Sequence, residues 1–389
     1  MTIRNYVLFL FSLVTLFSNF ILAQKKSAVP DGLYGKETKS LEAAIQKNLY
    51  DQVSGNYLLV VDPSKREKKG DYLREYTYIW SLCAMFQAAN EIEKLDRSAK
   101  LLDPLLKSMN AYFDPAPPRA GYSDYIMSLK PGERYYDDNQ WIGITALDAY
   151  ERTKKKSYFE LGKLVYDFMM SGYDSVLGGG IYWKETSKSS KNTCSNGPGV
   201  LVALQLYQVS KDEKYLDTAL LIYNWTNEKL QAPSGLYYDN IKTRDNSIGK
   251  ATFSYNTGTM LQSNVYLYEC TKEEKYLKRA IAIADSSLPF FYGTGKFRDG
   301  YWFNAVLLRG YQHLLKYKKD TKYILGFKKC LDNSLKNEKN EQGLFMDRKG
   351  VRNLVDQSGM LEILARFAWL EKQHDLDKPA SELSMSDHN

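Results

Sequence analysis

Two consecutive aspartates, Asp137 and Asp138, are the residues of this sequence best suited to acid–base or nucleophilic catalysis. They lie in the motif Tyr-Tyr-Asp-Asp-Asn-Gln-Trp. One carboxylate is enough to cap a helix, so capping accounts for only one of the two. Neighbouring residues have β-carbons about 5–6 Å apart, so both carboxyls can reach one substrate atom, and their repulsion should raise the pKa of one of them. The pair would then supply one acid and one anion, which is the combination that cleaves a glycosidic bond.

The spacing of the two carboxyls bears on the stereochemistry of such a reaction. A separation of about 5–5.5 Å suits a retaining double displacement, whereas inversion needs about 6.5–9.5 Å to admit a water molecule. Adjacency therefore favours retention if Asp137 and Asp138 work together. Two alternatives stay open: the side chains can diverge, or Asp137 can work with Asp299 or Asp356 from another part of the chain.

Aromatic and polar residues near the same helix starts are candidates for binding a sugar, because its C–H faces pack on rings while its hydroxyls need polar partners. We expect aromatic contacts from Tyr136, Trp141, Trp183, Tyr255 and Trp302. We expect hydroxyl contacts from Asn196, Asp239, Asn256, Asp356 and Gln357. Helix capping is the alternative role for the two asparagines and Asp356, and a turn is the alternative setting for Asp239.

A repeated pattern of helices must position these residues. Six segments are apolar around most of their circumference, which is typical of buried helices. They are residues 76–90, 138–152, 196–210, 256–271, 301–316 and 357–372. More amphipathic helices precede them, the first two at 40–50 and 96–112, and a glycine followed by aromatic residues leads into each buried helix, as in Gly180-Ile181-Tyr182-Trp183.

Six such hairpins predict an all-α fold, an (α/α)6 barrel in which the buried helices form an inner ring. An open solenoid is the alternative, since helical hairpins can also stack without closing. A closed ring would bring the starts of all six inner helices to one end, where a cleft would form.

The composition excludes several classes of protein. The chain has 389 residues, of which 25% are charged and 44% hydrophobic, and this is not collagen-like, coiled-coil or disordered. The net charge of +7 is modest and scattered, so we expect no nucleic acid partner. With three histidines we expect no metal site and no cofactor, and we interpret the four cysteines as packed thiols, one disulfide being the alternative.

The two ends of the chain differ from the rest. Residues 1–23 carry one arginine, no acid and a long apolar run, which is the pattern of a secretory signal peptide. No later stretch approaches the roughly 20 apolar residues needed to cross a bilayer, so we expect export to the periplasm or the medium without a membrane span. Residues 24–374 are predicted to form a single domain, which we expect to be monomeric, and residues 375–389 a polar, disordered tail.

Three sequence motifs resemble those of glycoside hydrolase family 76, the α-1,6-mannanases. They are 135–141, then 179–183 followed by 191–196, and 255–258. The resemblance covers most of the chain after the signal segment. It implies an (α/α)6 barrel and a retaining, endo-acting enzyme that cleaves α-mannan or manno-oligosaccharides at α-1,6 bonds without a metal.

The resemblance also implies roles for three aspartates. Asp137 looks like the nucleophile that forms a mannosyl ester, Asp138 like the acid and then the base, and Asp239 like a residue that holds a sugar hydroxyl. Two departures affect subsite detail: Cys194 stands where a small or apolar residue is expected, and Tyr182-Trp183 where two tryptophans are common.

Three other functions stay open at this point. The barrel could bind a glycan without cleaving it, although binding alone does not require two like charges side by side. It could be a six-hairpin hydrolase of another glycan. It could also be a transglycosylase, which would pass the same intermediate to a sugar instead of water.

Overall fold

The computed structural model describes residues 29–69, 72–130, 132–346 and 350–376, and twelve α-helices lie within them. Six are outer helices: α1 (Leu33–Leu49), α3 (Leu102–Met109), α5 (Lys156–Met170), α7 (Glu213–Leu230), α9 (Glu274–Tyr292) and α11 (Lys322–Asn337). Six are inner helices: α2 (Ile79–Leu95), α4 (Tyr136–Thr153), α6 (Thr193–Ser210), α8 (Ser254–Thr271), α10 (Tyr301–Leu315) and α12 (Leu354–Lys372). The predicted signal peptide, and all of the predicted tail except residues 375 and 376, lie outside the described residues.

The inner helices form a closed ring. Each one packs against the next inner helix along the chain, and α12 packs back against α2. The (α/α)6 barrel is therefore confirmed, and the open solenoid is wrong for this chain. Because every inner helix follows an outer helix in the same sense, all six inner helices start at one end of the barrel.

Burial explains why the two sets of helices differ in sequence. In α8 the first turn and the middle are buried on nearly all sides, because the ring covers one face and an outer helix covers the other. The outer helix α11 buries only one stripe, and its residues recur at helical spacing: Tyr323, Ile324, Phe327, Cys330, Leu331 and Ser334.

Tight turns link three inner helices to the outer helices that follow. Helices α4, α6 and α8 each end at a lysine in the left-handed region, Lys154, Lys211 and Lys272, with φ of 57°, 59° and 60°. The backbone N–H of each lysine donates to the carbonyl of the tyrosine four residues earlier. This bond satisfies a carbonyl at the helix end and reverses the chain within two residues.

Two outer helices differ from their predictions: α1, expected at 40–50, begins seven residues earlier at Leu33, and α3 is much shorter than expected. The expected helix 96–112 is reduced to α3, because Asp96 Oδ1 accepts from the backbone N–H of Ser98 and holds the chain in a turn. Residues Asn110–Tyr112 then tighten into a 3₁₀ turn that leads into a strand.

Short strands, which the sequence analysis did not predict, lie in the connections into the inner helices. An antiparallel sheet of four strands has the order β10, β9, β8, β7. Its strands are β7 (Tyr182–Lys184), β8 (Ser187–Asn192), β9 (Tyr238–Lys242) and β10 (Ile248–Thr252). Three two-stranded ribbons precede it: β1 and β2 (Tyr50–Asp51, Asn56–Tyr57), β3 and β4 (Lys68–Lys69, Tyr72–Leu73), and β5 and β6 (Phe113–Asp114, Gly121–Tyr122). Within the described residues, no helix combines the length and the apolar character needed to cross a bilayer.

Candidate active site

A cavity of about 590 Å³ opens at the end of the barrel where the inner helices start. Its walls come from the starts of α2, α4, α6, α8 and α10, from the residues before them, and from the four-stranded sheet. Seven of the residues predicted from sequence line it together: Asp137, Asp138, Trp141, Trp183, Asp239, Tyr255 and Trp302.

Asp137 and Asp138 are the second and third residues of α4, and both side chains are half-buried at the cavity wall. Burial raises the pKa of Asp137 to about 6, although the polar hydrogens of Cys194, the backbone and Trp183 lower it. Burial also raises the pKa of Asp138 far above its usual range, and the negative charges of Asp137 and Asp124 add to this. At neutral pH the pair therefore holds one anion, at Asp137, and one protonated acid, at Asp138.

Two buried oxygen atoms at this cavity have no hydrogen-bond partner among the described residues. They are Asp137 Oδ1 and Asn240 Oδ1, and both residues line the cavity. A buried acceptor without a partner costs free energy, so such atoms favour a ligand that brings hydroxyl donors.

Tryptophans and tyrosines give the cavity fixed apolar surfaces. Trp302 packs between Trp141 and Trp80, with ring centroids 5.4 and 5.7 Å away, and its Nε1 donates to the buried Gln87 Oε1 at 3.2 Å. Trp183 is 39% exposed and packs on the ring of Tyr135 at 5.1 Å. These rings lie beside the two carboxyls and are held by packing rather than by a ligand.

The sheet brings Asp239 to the same cavity. Asp239 lies within strand β9, so the alternative that it is a turn residue is wrong. Its Oδ2 accepts from Asn240 Nδ2 at 2.7 Å, and strand β9 pairs with β8, which ends beside the start of α6. Burial raises the pKa of the Cys194 thiol, with the charges of Asp137 and Asp239 adding to it, so the thiol stays protonated and can donate to Asp137.

Two amide side chains that we predicted to bind substrate instead hydrogen-bond to the backbone of a preceding loop. Asn196 Oδ1 accepts from the backbone N–H of Ile181 at 2.7 Å, and its Nδ2 donates to the carbonyls of Ile181 and Asn192. Gln357 makes the same pair of bonds to the backbone of Phe345, at 2.8 and 2.7 Å. Both side chains are fully buried, so the expectation of sugar contact is corrected for both.

Three other predicted ligands also lie away from this cavity. Tyr136 packs outward on the ring of Phe168 at 5.0 Å, because its position in the first turn of α4 faces α5. Asn256 is fully buried and is not part of the cavity wall. Asp356 accepts from the backbone N–H of Tyr301 at 3.3 Å and lines a neighbouring cavity.

Asp299 also lines that neighbouring cavity, and its Oδ2 accepts from the backbone N–H of Ser254 at 2.7 Å. The alternative pairing of Asp137 with Asp299 or Asp356 is therefore not supported, because neither partner shares the cavity of Asp137.

A third carboxylate in the cavity, Asp124, was missed by the sequence analysis. Its Oδ1 accepts from the backbone N–H of Glu133 at 3.1 Å, and its own backbone N–H donates to the Glu133 carbonyl at 2.8 Å. Gly132 packs so closely that a β-carbon there would meet Asp124 Oδ1 at 1.4 Å. The loop before α4 therefore fixes the position of this carboxylate.

The repeat contains a signal for Asp124. Asn139 in α4 accepts from the backbone N–H of Tyr122 and donates to its carbonyl, and Asn196 in α6 makes the same two bonds to Ile181. We call this pair of bonds an amide clamp. Asp124 lies two residues after Tyr122, and Trp183 lies two residues after Ile181. Aligning the repeats on the clamping asparagine would have placed Asp124 in the cavity.

The described residues were also compared with the requirements of a metal site and of disulfide bonds. No group of three or more histidine, cysteine, aspartate or glutamate side chains there is arranged to hold a metal ion. The four cysteines are unbridged, and three of them are buried, as packed thiols should be.

The closed helical barrel and the paired carboxyls of unequal pKa beside fixed aromatic rings define a glycoside hydrolase. Residues 37–302 match the sequence model of Glycosyl hydrolase family 76, which is more than half of the chain. The chain belongs to this family.

Solved structures of bacterial enzymes are similar to it over nearly their whole length. A GH76 α-mannanase of Bacteroides thetaiotaomicron is 26% identical with a TM-score of 0.80, and the match covers 90% of this chain and 99% of that one. The GH76A α-1,6-mannanase of Salegentibacter sp. HEL1_6 is 25% identical with a TM-score of 0.73, covering 87% and 99%.

A curated relative matches over a shorter stretch. The mannan endo-1,6-alpha-mannosidase DCW1 of Candida glabrata is 28% identical over 185 residues, which are 43% of this chain and 42% of the relative. The chain thus matches less than half the length of this fungal protein.

Proposed function

We propose that this protein is an exported, endo-acting α-1,6-mannanase that hydrolyses its substrate with retention of configuration. The observation that carries the proposal is the pair Asp137 and Asp138, which face one cavity with different pKa values. Export rests on the signal-like sequence 1–23. Endo attack is supported by the names of the curated relatives, which are mannan endo-1,6-alpha-mannosidases.

In the first step, ionised Asp137 attacks the anomeric carbon while Asp138 gives its proton to the leaving oxygen. This forms a mannosyl ester on Asp137 and releases one part of the chain. In the second step, Asp138, now a carboxylate, takes a proton from water, which cleaves the ester and restores both side chains. The hydrogens of Cys194 and Trp183 that face Asp137 stabilise its anionic form before attack and after ester cleavage.

The rest of the cavity suits a chain of neutral sugars. Trp141, Trp183 and Trp302 offer apolar faces, and Asp239 with Asn240 offers acceptors for hydroxyl groups. Substrate identity is supported by a similar protein: an inactive variant of the Salegentibacter enzyme, with two consecutive aspartates replaced by asparagine, is in complex with α-1,6-mannotriose.

The proposal is tested by incubating the purified protein with linear α-1,6-mannan and following the anomeric signals by NMR. We expect shorter oligosaccharides whose new reducing ends first appear in the α configuration. Asp138→Asn should lower kcat by about 10²–10⁴-fold, because general acid catalysis contributes that much. Asp137→Asn should lower it at least as far, because no ester can form.

Asp245→Asn is the matched control, since Asp245 lies in the exposed turn between β9 and β10 and outside the cavity wall. It should turn over like the wild type. Circular dichroism should show that all three variants are folded. Turnover like that of the wild type in either cavity variant, or a β product formed first, would overturn the proposal.

A further inference from the structure

A cavity of about 250 Å³ lies at the end of the barrel opposite to the active site, where the inner helices end. Its walls come from α2, α4, α8, α10 and α12, and they include Glu91, Asp148, Gln262, His313 and Trp369. We call it the far cavity. A buried water molecule needs only about 10–15 Å³ of such space, so a larger ligand can enter.

A wider recess of about 500 Å³ adjoins the far cavity at the same end of the barrel. The two spaces share Glu151, Tyr266, His313 and Lys316, and the recess extends from them to the end of α6. A ligand that is too long for the far cavity alone can therefore continue into the recess.

Two buried atoms in the wall of the far cavity have no hydrogen-bond partner among the described residues. They are Gln262 Oε1 and His313 Nδ1. Gln262 is only 4% exposed and His313 only 6%, so bulk water does not solvate these atoms freely. A buried polar atom without a partner costs free energy, so both atoms favour a ligand that completes their bonds.

The protonation of His313 shows which kind of partner it needs. Its Nε2 lies 2.9 Å from Glu269 Oε1. Burial raises the pKa of Glu269, but hydrogen bonds from His313, Tyr317 and Gln208 outweigh this and bring the pKa to about 2. The ionised carboxylate can only accept, so the ring hydrogen lies on Nε2. Burial lowers the pKa of His313, so the ring is neutral and its Nδ1 is an acceptor, as Gln262 Oε1 is.

The charges that face the far cavity do not favour an ionic ligand. Arg309 pairs with Asp148 at 2.6 Å, and Glu91 pairs with Arg366 at 3.2 Å and with Lys94 at 2.6 Å. Glu151 and Lys316 add one charge of each sign. A ligand with a net charge would meet both attraction and repulsion here, whereas a neutral ligand with hydroxyl groups can bond to all of these side chains.

We propose that the far cavity is a second glycan-binding site, separate from the site of cleavage, in which hydroxyl groups of a neutral sugar donate to Gln262 and His313. The rings of Tyr266 and Trp369, the latter 39% exposed, offer apolar surfaces to the C–H groups of the sugar. That the sugar is a mannosyl unit rests on the proposed function. Since the two sites lie at opposite ends of the barrel, binding in the far cavity can hold the protein on a polysaccharide while another segment is cleaved.

Gln262→Leu tests the site by removing one of the two acceptors while keeping the size of the side chain. Gln46→Leu is the matched control, because Gln46 lies in α1 and lines neither the far cavity nor the active site. Both variants are made in an Asp137→Asn background, so binding is measured without cleavage. α-1,6-Mannotriose is titrated, and NMR follows the indole signals of Trp369 in the far cavity and Trp183 in the active site. Gln262→Leu should raise the Kd reported by Trp369 about tenfold.

Lys316→Trp tests the same site by filling the space that the far cavity shares with the recess. Lys318→Trp is its control, because Lys318 is exposed, lies two residues further along and lines neither space. Lys316→Trp should abolish the shift of the Trp369 signal, and Lys318→Trp should leave it unchanged. Circular dichroism should show that all four variants are folded.

The two indole signals separate this inference from the proposed function. The far site is supported if both of its variants weaken the titration at Trp369 while both controls behave like the parent. It is overturned if the Trp369 signal of the parent does not respond to mannotriose, or if either variant of the far cavity titrates like the parent. Failure of the wild type to cleave mannan would instead contradict the proposed function.

Discussion

A third carboxylate, that of Asp124, adds to the difference in pKa between the two adjacent aspartates, which burial and their own repulsion produce first. Burial raises the pKa of both, but only Asp138 also receives the negative charges of Asp137 and Asp124. Asp124 therefore favours the protonated form of Asp138, which is the acid of the proposed mechanism, without having to touch the substrate. The backbone of Glu133 holds it in place.

The pH dependence of kcat/KM follows from this arrangement. Activity should fall as the pH drops below about 6, where Asp137 gains a proton, and should fall again at high pH, where Asp138 loses its proton. In Asp124→Asn a negative charge is removed, so the pKa of Asp138 falls and the alkaline limb moves to lower pH. The profile is measured on linear α-1,6-mannan.

Asp239→Asn is the comparison for this experiment. Asp239 lines the same cavity but does not contribute to the raised pKa of Asp138, so its variant should lose activity without moving the alkaline limb. An unmoved limb in Asp124→Asn would show that the third carboxylate does not tune the acid.

The sequence correctly predicted that some residues line the cavity, but it also assigned to the cavity residues that lie elsewhere, and there is a physical reason for this difference. Asp137, Asp138 and Trp141 share the start of one helix, so their proximity follows from local geometry. An amide at a helix start can instead face the cavity or turn back to the preceding loop, and the residue type does not decide which. Asn196 and Gln357 turn back, because the loop backbone needs partners that no strand supplies.

At the scale of elements, the amide clamps connect each loop to the helix that follows it. The side chain of Asn196 satisfies both backbone groups of Ile181, and two residues later Trp183 enters the cavity. The clamp therefore acts on stability and on the placement of a cavity residue together.

Asn196→Ala should lower the free energy of unfolding by on the order of 3 kcal/mol, because it leaves a buried N–H and two carbonyls without their bonds. It should also lower kcat/KM through the displaced Trp183. Urea unfolding and kinetics measure the two effects. Asn224→Ala, at an exposed position of α7, should change neither by a comparable amount, and equal behaviour of the two variants would contradict the clamp.

The four-stranded sheet could not be predicted, because its sequence lacks the pattern of a strand. Strand β8 reads Ser-Lys-Ser-Ser-Lys-Asn and has no alternation of apolar residues. It is held by a buried lysine: Lys191 Nζ donates to Asp174 Oδ1 at 2.7 Å and to the carbonyls of Val176 and Gly179. These partners lie 12 to 17 residues away, so the strand depends on tertiary contacts.

At the scale of the whole molecule, the six repeats predicted the ring, but not the contacts that cross it. Helices α4 and α10 are three places apart among six inner helices and so lie opposite each other. Arg309 of α10 nevertheless donates to Asp148 of α4 at 2.6 Å, and both side chains are largely buried. The two residues are 161 positions apart, a separation that no local pattern records.

This ion pair joins opposite sides of the barrel, in the part of the helices beyond the cavity. Arg309→Met should lower the free energy of unfolding by about 3–5 kcal/mol, because it leaves the carboxylate of Asp148 buried without its charge partner. The double variant Asp148→Leu with Arg309→Met should lose much less, since neither charge is then left unpaired. Lys163→Met removes an exposed pair with Glu160 and should cost less than about 1 kcal/mol. Urea unfolding of the four proteins measures these differences, and an equal loss in the single and double variants would show that the cross-ring pair is not what holds the two sides together.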